Sequence, residues 1–140
     1  MTGMGVICPL GSSPEALWEA LREKRSGVGP LTTLPEGAVP VRCAAAADQF
    51  TGHIKEFGDL PAEKKKTIRK GLKVMCREIQ MGVAAAELAI ADARLADAGF
   101  EPARIGVAFG SDYMITEPDE FTEPVKACLG EDGSFDYARW

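Results

Sequence analysis

The residues of this chain best suited to nucleophilic chemistry are four cysteines, Cys8, Cys43, Cys76 and Cys128. A cysteine becomes a nucleophile when a helix N-terminus or a neighbouring cation lowers the pKa of its thiol. The pattern around them favours no such activation, since Cys76 is expected in a helix interior and Cys128 near a helix C-terminus. Cys8 lies in a turn several residues before a helix, and Cys43 has only Arg42 beside it. We therefore expect free, mostly buried thiols and assign no catalytic residue.

These cysteines also lack the spacing of a metal site. They are far apart, form no C-x-x-C pair, and share the chain with a single histidine, His53. Zinc sites generally need ligands in close pairs. The sequence predicts no metal ion, and His53 is expected to be an exposed residue of an extended segment.

A group of basic residues offers binding chemistry instead. At 100° per residue, a helix places them within about a quarter to a third of its circumference. They are rotated away from the apolar positions of the same predicted helix. In a chain of net charge −5 they form a local positive field of opposite sign. The stripe indicates either a surface for an acidic partner or a solvated helix face, and its members are Lys66, Arg69, Lys70, Lys73 and Arg77.

Helical patterns must position this stripe. A first helix is expected after the opening turn, with Ser13 as its cap, Pro14 at its first position and its end near Arg25. The strongest helical periodicity runs over residues 61–97, with Asp59 as its cap. Gly71 is a weak point in it, at which one long helix or two shorter ones fit.

Extended segments are expected between these helices. They comprise the opening residues, 39–43, 50–57 and 104–111, and the last is apolar enough for a strand buried on both faces. A short helix is expected over residues 123–129. This order of elements predicts an α/β fold with a mixed sheet.

Composition excludes several classes of function. With 140 residues, 46% hydrophobic and 26% charged, the chain is typical of one globular domain. The acidic balance argues against nucleic-acid binding. No apolar run approaches the roughly 20 residues that cross a bilayer, so a cytoplasmic location is expected. Gly3 and Gly5 begin a G-x-G-x-x-G pattern, but Cys8 occupies its third glycine position, which excludes the dinucleotide motif.

Three parts of the chain resemble the N-terminus of the β-ketoacyl synthases. The first is a Thr-Gly-x-Gly turn and Pro-x-Gly step, followed by a helix that bears Trp18 and is closed by a Ser-Gly pair. The second is the Phe-x-Gly segment at 50–57, and the third covers residues 79–111. The resemblance implies the N-terminal part of a thiolase-like layered α-β-α fold, with residues 1–140 forming a partial, incomplete domain.

The family resemblance also implies an activity. These synthases are acyltransferases that catalyse decarboxylative Claisen condensation of malonyl and acyl thioesters in fatty-acid or polyketide synthesis. Their nucleophilic cysteine and two histidines lie beyond the matched stretch, so the chain is expected to be inactive alone. No cofactor is expected, because the acyl carrier protein brings its own phosphopantetheine. A homodimer, or a heterodimer with a synthase subunit, is implied as well.

The resemblance assigns two sites. A basic segment in the family receives the acidic acyl carrier protein, and the matching residues here are Lys66, Arg69, Lys70 and Lys73. The family's glycine-rich turn beside the acyl pocket corresponds to Ser111 and Tyr113. Asp112 replaces a glycine of that turn, and Tyr113 would shorten the pocket, which predicts a short acyl substrate or loss of acyl binding. Cys76 stands near a position where the family commonly has an aspartate.

Two alternatives to a condensing enzyme stay open. The chain fits a non-catalytic synthase-like partner subunit of the chain-length-factor type, which would pair with an active subunit. It also fits a piece with no independent role, which would be marginally stable because its sheet neighbours are missing. The residue at the family's nucleophile elbow would discriminate enzyme from partner subunit.

Overall fold

The computed structural model of the protein describes residues 2–32, 34–111 and 118–140. Two compact units are present, Met1–Gly110 and Ser111–Trp140. Within the described residues no helix is both long and apolar enough to cross a membrane. The helices are α1 (Pro14–Arg22), α2 (Ala62–Gly71), α3 (Arg77–Asp92) and α4 (Pro118–Ala127), with 3-10 helices at Ile54–Phe57, Leu95–Asp97 and Pro102–Arg104, and the strands are β1 (Gly29–Pro30) and β2 (Cys43–Ala44).

The start of α1 confirms the predicted cap. The Ser13 hydroxyl accepts a hydrogen bond from the Ala16 amide at 3.1 Å, and Pro14 occupies the first turn. The helix ends at Arg22, earlier than expected, and the chain turns away through Lys24 at φ 55°. Its apolar face is only partly covered, since Ala20 is buried whereas Trp18 is 65% exposed.

The long helical pattern is divided into two helices, as the weak point at Gly71 allowed. α2 ends at Gly71 and α3 begins at Arg77. The predicted cap is wrong: the N-cap of α2 is Pro61, without a side-chain hydrogen bond, and Asp59 instead pairs with Lys65 at 3.3 Å.

Small residues let the N-terminal segment cross α3 closely. A Cβ added at Gly5 would collide with the carbonyl of Ala85, and one added at Gly3 would meet Ala93. The Met4 amide donates to the Asp92 carboxylate at 2.8 Å, which holds the crossing in place. The N-terminal segment therefore lies directly against the alanine-rich face of α3, and the strand expected for these opening residues is absent from residues 2–7.

A small core joins α2, α3 and the 3-10 helix at Ile54–Phe57. Phe50 and Phe57 are 1% and 0% exposed, and their ring centroids lie 6.0 Å apart. The prediction of an extended segment over residues 50–57 is wrong in its second half, which is helical. This 3-10 helix buries two of its four side chains in the core. The buried members of the core are Phe50, Ile54, Phe57, Leu60, Ile68 and Ala84.

The predicted buried strand at 104–111 is also wrong. In the described part of the chain, the only sheet is the antiparallel pair of β1 and β2. The strand predicted at residues 39–43 therefore begins later, at Cys43. Residues 105–111 have no strand assignment, and Val107 is 85% exposed. A strand needs neighbouring strands for its backbone hydrogen bonds, and the two-stranded sheet of the described residues does not extend to residues 105–110. The four α-helices and one strand pair found in the described residues are compatible with a partial α/β fragment.

The unit Ser111–Trp140 is built on α4, which begins earlier than the predicted helix and contains Pro124. After α4 the chain reverses direction, and an isolated antiparallel β-bridge pairs Leu129 with Phe135. The ring of Phe135 contacts those of Tyr137 and Trp140, at centroid distances of 4.9 and 5.7 Å. This unit therefore has an aromatic cluster of its own.

Candidate functional site

Helix α2 places its basic side chains opposite its buried face. Ile68 is 6% exposed and belongs to the core. Lys66, Arg69 and Lys70 are exposed. Because each residue advances about 100°, these three fall on one side of α2 while Ile68 falls on the other.

Lys73 joins this surface from outside the helix. It lies exposed in the turn after Gly71, within the connector of residues 72–76 between α2 and α3. The structure thus provides a surface of four exposed cations, here called the basic patch, although its members do not share one continuous helix as predicted. The basic patch consists of Lys66, Arg69, Lys70 and Lys73.

The charges of the basic patch differ from those of the lysines just before it. Lys64 pairs with Glu87 at 2.7 Å and Lys65 pairs with Asp59 at 3.3 Å. Among residues 2–32, 34–111 and 118–140, no carboxylate lies within 4.0 Å of a basic-patch cation. Lys64 thus links α2 to α3, while the basic patch keeps its positive charge available to a partner.

Arg77 is not part of this exposed surface. Its guanidinium is half-buried, donates to the Ala47 carbonyl at 2.8 Å, and lies 5.8 Å from the centroid of the Phe50 ring. The sequence analysis placed Arg77 in the stripe because it applied one helical periodicity of 100° per residue from Lys66 to Arg77. The helix is interrupted after Gly71, and Arg77 begins α3 with its guanidinium in contact with Ala47 and the core ring of Phe50.

Two residues of this region were missed by the sequence analysis. Val74 is 86% exposed beside Lys73, and Gln80 donates its side-chain amide to the Met75 carbonyl at 2.8 Å. Helical periodicity gives no signal for either role, because both depend on the non-helical connector. Val74 adds an apolar contact area next to the basic patch.

Cys76 has a different position from the one predicted. It is the N-cap of α3 and not an interior residue, and it makes no side-chain capping hydrogen bond. All four cysteines are free thiols. Cys128, directly after α4, is the one that is buried, whereas Cys43 in β2 is exposed. The expectation of mostly buried thiols is therefore wrong. In the described ranges no three His, Cys, Asp or Glu residues are close enough to hold a metal ion.

His53 is exposed, as predicted, but it caps a helix instead of lying in a strand. Its Nδ1 accepts a hydrogen bond from the Lys55 amide at 3.3 Å, and its own amide donates to Glu56 at 2.6 Å. Partial burial raises the pKa of Glu56, but hydrogen bonds from Thr51 and His53 outweigh it and hold that pKa below its ordinary value. These contacts give His53 a structural role.

The predicted acyl pocket is not tested by the structure, because one of its two residues lies outside the described part of the chain. Ser111 is exposed in the second unit, and Tyr113 lies outside the described residues. A separate apolar groove of about 390 Å³ lies between α1 and the N-terminal segment and is lined by Met4, Val6, Pro14, Glu15, Leu17, Trp18 and Leu21. The acyl-pocket assignment stays a prediction.

Comparison with known proteins identifies the family. The N-terminal domain of the β-ketoacyl synthases matches residues 1–131, and the chain belongs to this family. It is 34% identical over 111 residues to 3-oxoacyl-[acyl-carrier-protein] synthase 2 of Vibrio harveyi, covering 79% of this chain and 24% of that protein. The match to the protein of that name from Synechocystis sp. is 32% identical with the same coverage.

A polyketide protein is similar to the same degree. The granaticin polyketide putative beta-ketoacyl synthase 1 of Streptomyces violaceoruber is 32% identical, over 79% of this chain and 24% of its own length. The chain thus spans about a quarter of the length of these relatives. No solved structure matches it significantly.

Proposed function

We propose that these residues form the N-terminal part of a condensing enzyme and that they supply its docking surface for an acyl carrier protein. The observation that carries the docking proposal is the basic patch, four exposed cations without a carboxylate partner among the described residues. Such a surface attracts an acidic protein by long-range steering, even though the chain has a net charge of −5. Membership of the synthase family supports an acyl carrier protein as that partner.

In this proposal the complete protein joins malonyl and acyl thioesters by decarboxylative Claisen condensation. Its relatives are named as 3-oxoacyl-[acyl-carrier-protein] synthases and as a polyketide beta-ketoacyl synthase, and both fatty-acid and polyketide synthesis fit the proposal. The carrier delivers the substrate on its phosphopantetheine arm, so the residues present here bind and orient the carrier. The reaction centre belongs to the remainder of a thiolase-like layered fold.

The cellular setting follows from the same proposal. A cytoplasmic location and a dimer, either of two copies or with a second synthase subunit, fit a carrier-dependent enzyme of this family. Ser111 and Tyr113 would then line the acyl pocket, where the tyrosine side chain limits the length of the acyl group.

The docking proposal is tested by charge reversal. Binding of a purified bacterial acyl carrier protein, in its phosphopantetheinylated form, is measured by calorimetry at low and at physiological ionic strength. We expect Lys70→Glu combined with Lys73→Glu to remove measurable binding, and wild-type binding to weaken steeply with salt, because the Debye length shortens to about 8 Å at 0.15 M.

A matched control separates local from overall charge. Arg22→Glu combined with Lys24→Glu makes the same change in net charge at two exposed residues outside the basic patch. We expect this control to retain most of the wild-type affinity. Equal affinities for the wild type and the Lys70 and Lys73 double variant would refute the docking proposal.

A further inference from the structure

The guanidinium of Arg77 connects the first residue of α3 to the core. It donates to the Ala47 carbonyl at 2.8 Å, a contact across 30 positions of sequence. It also lies 5.8 Å from the centroid of Phe50, a ring that is 1% exposed and packs against Phe57. A planar guanidinium suits this combination of stacking and hydrogen bonding, which an ammonium group does not reproduce.

The connector of residues 72–76 is held at both of its ends. On the α2 side, the Leu72 amide donates to the Ile68 carbonyl at 2.8 Å, and Val74 donates to Gly71 at 2.9 Å. On the α3 side, the Met75 carbonyl accepts from the Gln80 side chain at 2.8 Å. Directly after the connector, the Arg77 guanidinium adds its contacts with Ala47 and Phe50.

Lys73 depends on this connector for its place in the basic patch. In the described residues it forms no ion pair that would orient its side chain, and it lies beyond the last residue of α2. Its distance from Lys70 is therefore set by the backbone of the connector. Arg77 lies directly after the connector, and a change at Arg77 removes no charge from the basic patch.

We propose that Arg77 is a positioning residue for carrier docking, which fixes the connector that presents Lys73, and is not itself a docking cation. The inference rests on the proposed docking function. It predicts that the guanidinium, and not the positive charge, is required at this position. Two variants distinguish these requirements: Arg77→Lys keeps the charge and loses the planar group, and Arg77→Met loses both.

Carrier binding is the first readout. With the phosphopantetheinylated acyl carrier protein as probe, we expect both Arg77 variants to bind about 3- to 10-fold more weakly, since each loses the stacking and the hydrogen bond. The salt dependence of binding should stay that of the wild type, because the four patch charges remain. Lys73→Gln should instead reduce the salt dependence, because it removes one of those charges.

Hydrogen exchange is the second readout, and it needs no carrier. We expect the amides of Leu72 and Val74 to exchange faster in both Arg77 variants than in the wild type. The amide of Ala93, which donates to the Ala89 carbonyl at the end of α3, serves as the internal control and should be unchanged. An unchanged exchange rate of the Ala93 amide shows that α3 is folded in the variant and that the faster exchange is confined to the connector.

A second variant keeps the test decisive if Arg77→Met does not fold. Phe50→Leu removes the ring from beneath the guanidinium while leaving an apolar side chain in the core. It should weaken carrier binding and accelerate connector exchange in the same direction as Arg77→Lys.

Three results would overturn the positioning role. They are wild-type affinity in Arg77→Lys, a reduced salt dependence in Arg77→Met that matches Lys73→Gln, and unchanged exchange of Leu72 and Val74 in both Arg77 variants. Failure of the docking function itself is recognised separately, by a Lys70→Glu and Lys73→Glu variant that still binds the carrier. In that case the exchange measurement alone decides whether Arg77 fixes the connector.

Discussion

Residues 50–92 and residues 104–110 are both rich in apolar side chains, yet only the first segment forms a core. Phe57 is 0% exposed in the first segment, whereas Val107 is 85% exposed in the second. Helices satisfy their own backbone hydrogen bonds, so each needs only one covered face. A strand requires neighbouring strands as well. The difference shows that apolar residues become buried here only where their element finds its partners among the described residues.

The largest expected effect compares Phe57 with Val107 directly. Phe57→Ala should lower the free energy of unfolding by about 3–5 kcal/mol, because it leaves a cavity in the core. Val107→Ala should change it by no more than about 0.5 kcal/mol, as expected for an exposed side chain. Urea unfolding followed by circular dichroism measures both. A loss at Val107 similar to that at Phe57 would show that residues 104–110 are packed in solution.

A smaller effect compares two glycines: Gly5, which packs against α3 in the first segment, and Gly106, which lies in the second segment. Gly5→Ala places a Cβ against the Ala85 carbonyl of α3, which should cost about 1–3 kcal/mol through overpacking. Gly106→Ala meets no atom within 4 Å and should be neutral or stabilising by up to about 1 kcal/mol. Thermal unfolding of the two variants tests the pair. Equal melting temperatures would contradict the close crossing of α3 by the N-terminal segment.

The smallest expected effect is a pH dependence within the first segment. Because the folded chain lowers the pKa of Glu56, the ionised carboxylate stabilises the fold at neutral pH. This contribution is lost as the pH falls through the folded-state pKa. Glu56→Gln should therefore be less stable than the wild type at pH 7 and lose less stability on acidification.

Thr51→Val sharpens that measurement. It removes the hydroxyl that donates to Glu56 at 3.0 Å and keeps the Thr51 amide that donates at 3.0 Å, so an intermediate acid response is expected. Urea unfolding between neutral and acidic pH gives the three curves. A wild-type response in Glu56→Gln would show that this carboxylate does not contribute to the acid sensitivity.

The helices were predictable because their signals are local. Ser13 caps α1 as expected, and the break near Gly71 was anticipated from a glycine inside a helical pattern. The strand at 104–111 was not predictable in the same way. Its apolar run specifies burial only if other strands are adjacent, and a run of residue types does not provide them.

The basic patch was predictable in its members but not in its construction. Lys66, Arg69 and Lys70 share a helix face, which periodicity alone identifies. The sequence also grouped Arg77 with them, because the same periodicity continues through the connector. The separation of Arg77 from the patch required the contact with Ala47, which no local pattern contains.

The sequence by itself therefore determined the family, the helices α1 to α3 and the four residues of the basic patch. Each of these follows from local spacing, capping or a motif within a few residues. Tertiary structure alone decided which cations stay free, with Lys64 paired to Glu87 and Arg77 held at Phe50. The physical reason is that charge availability depends on distances between residues far apart in sequence, and only packing of the helices sets those distances.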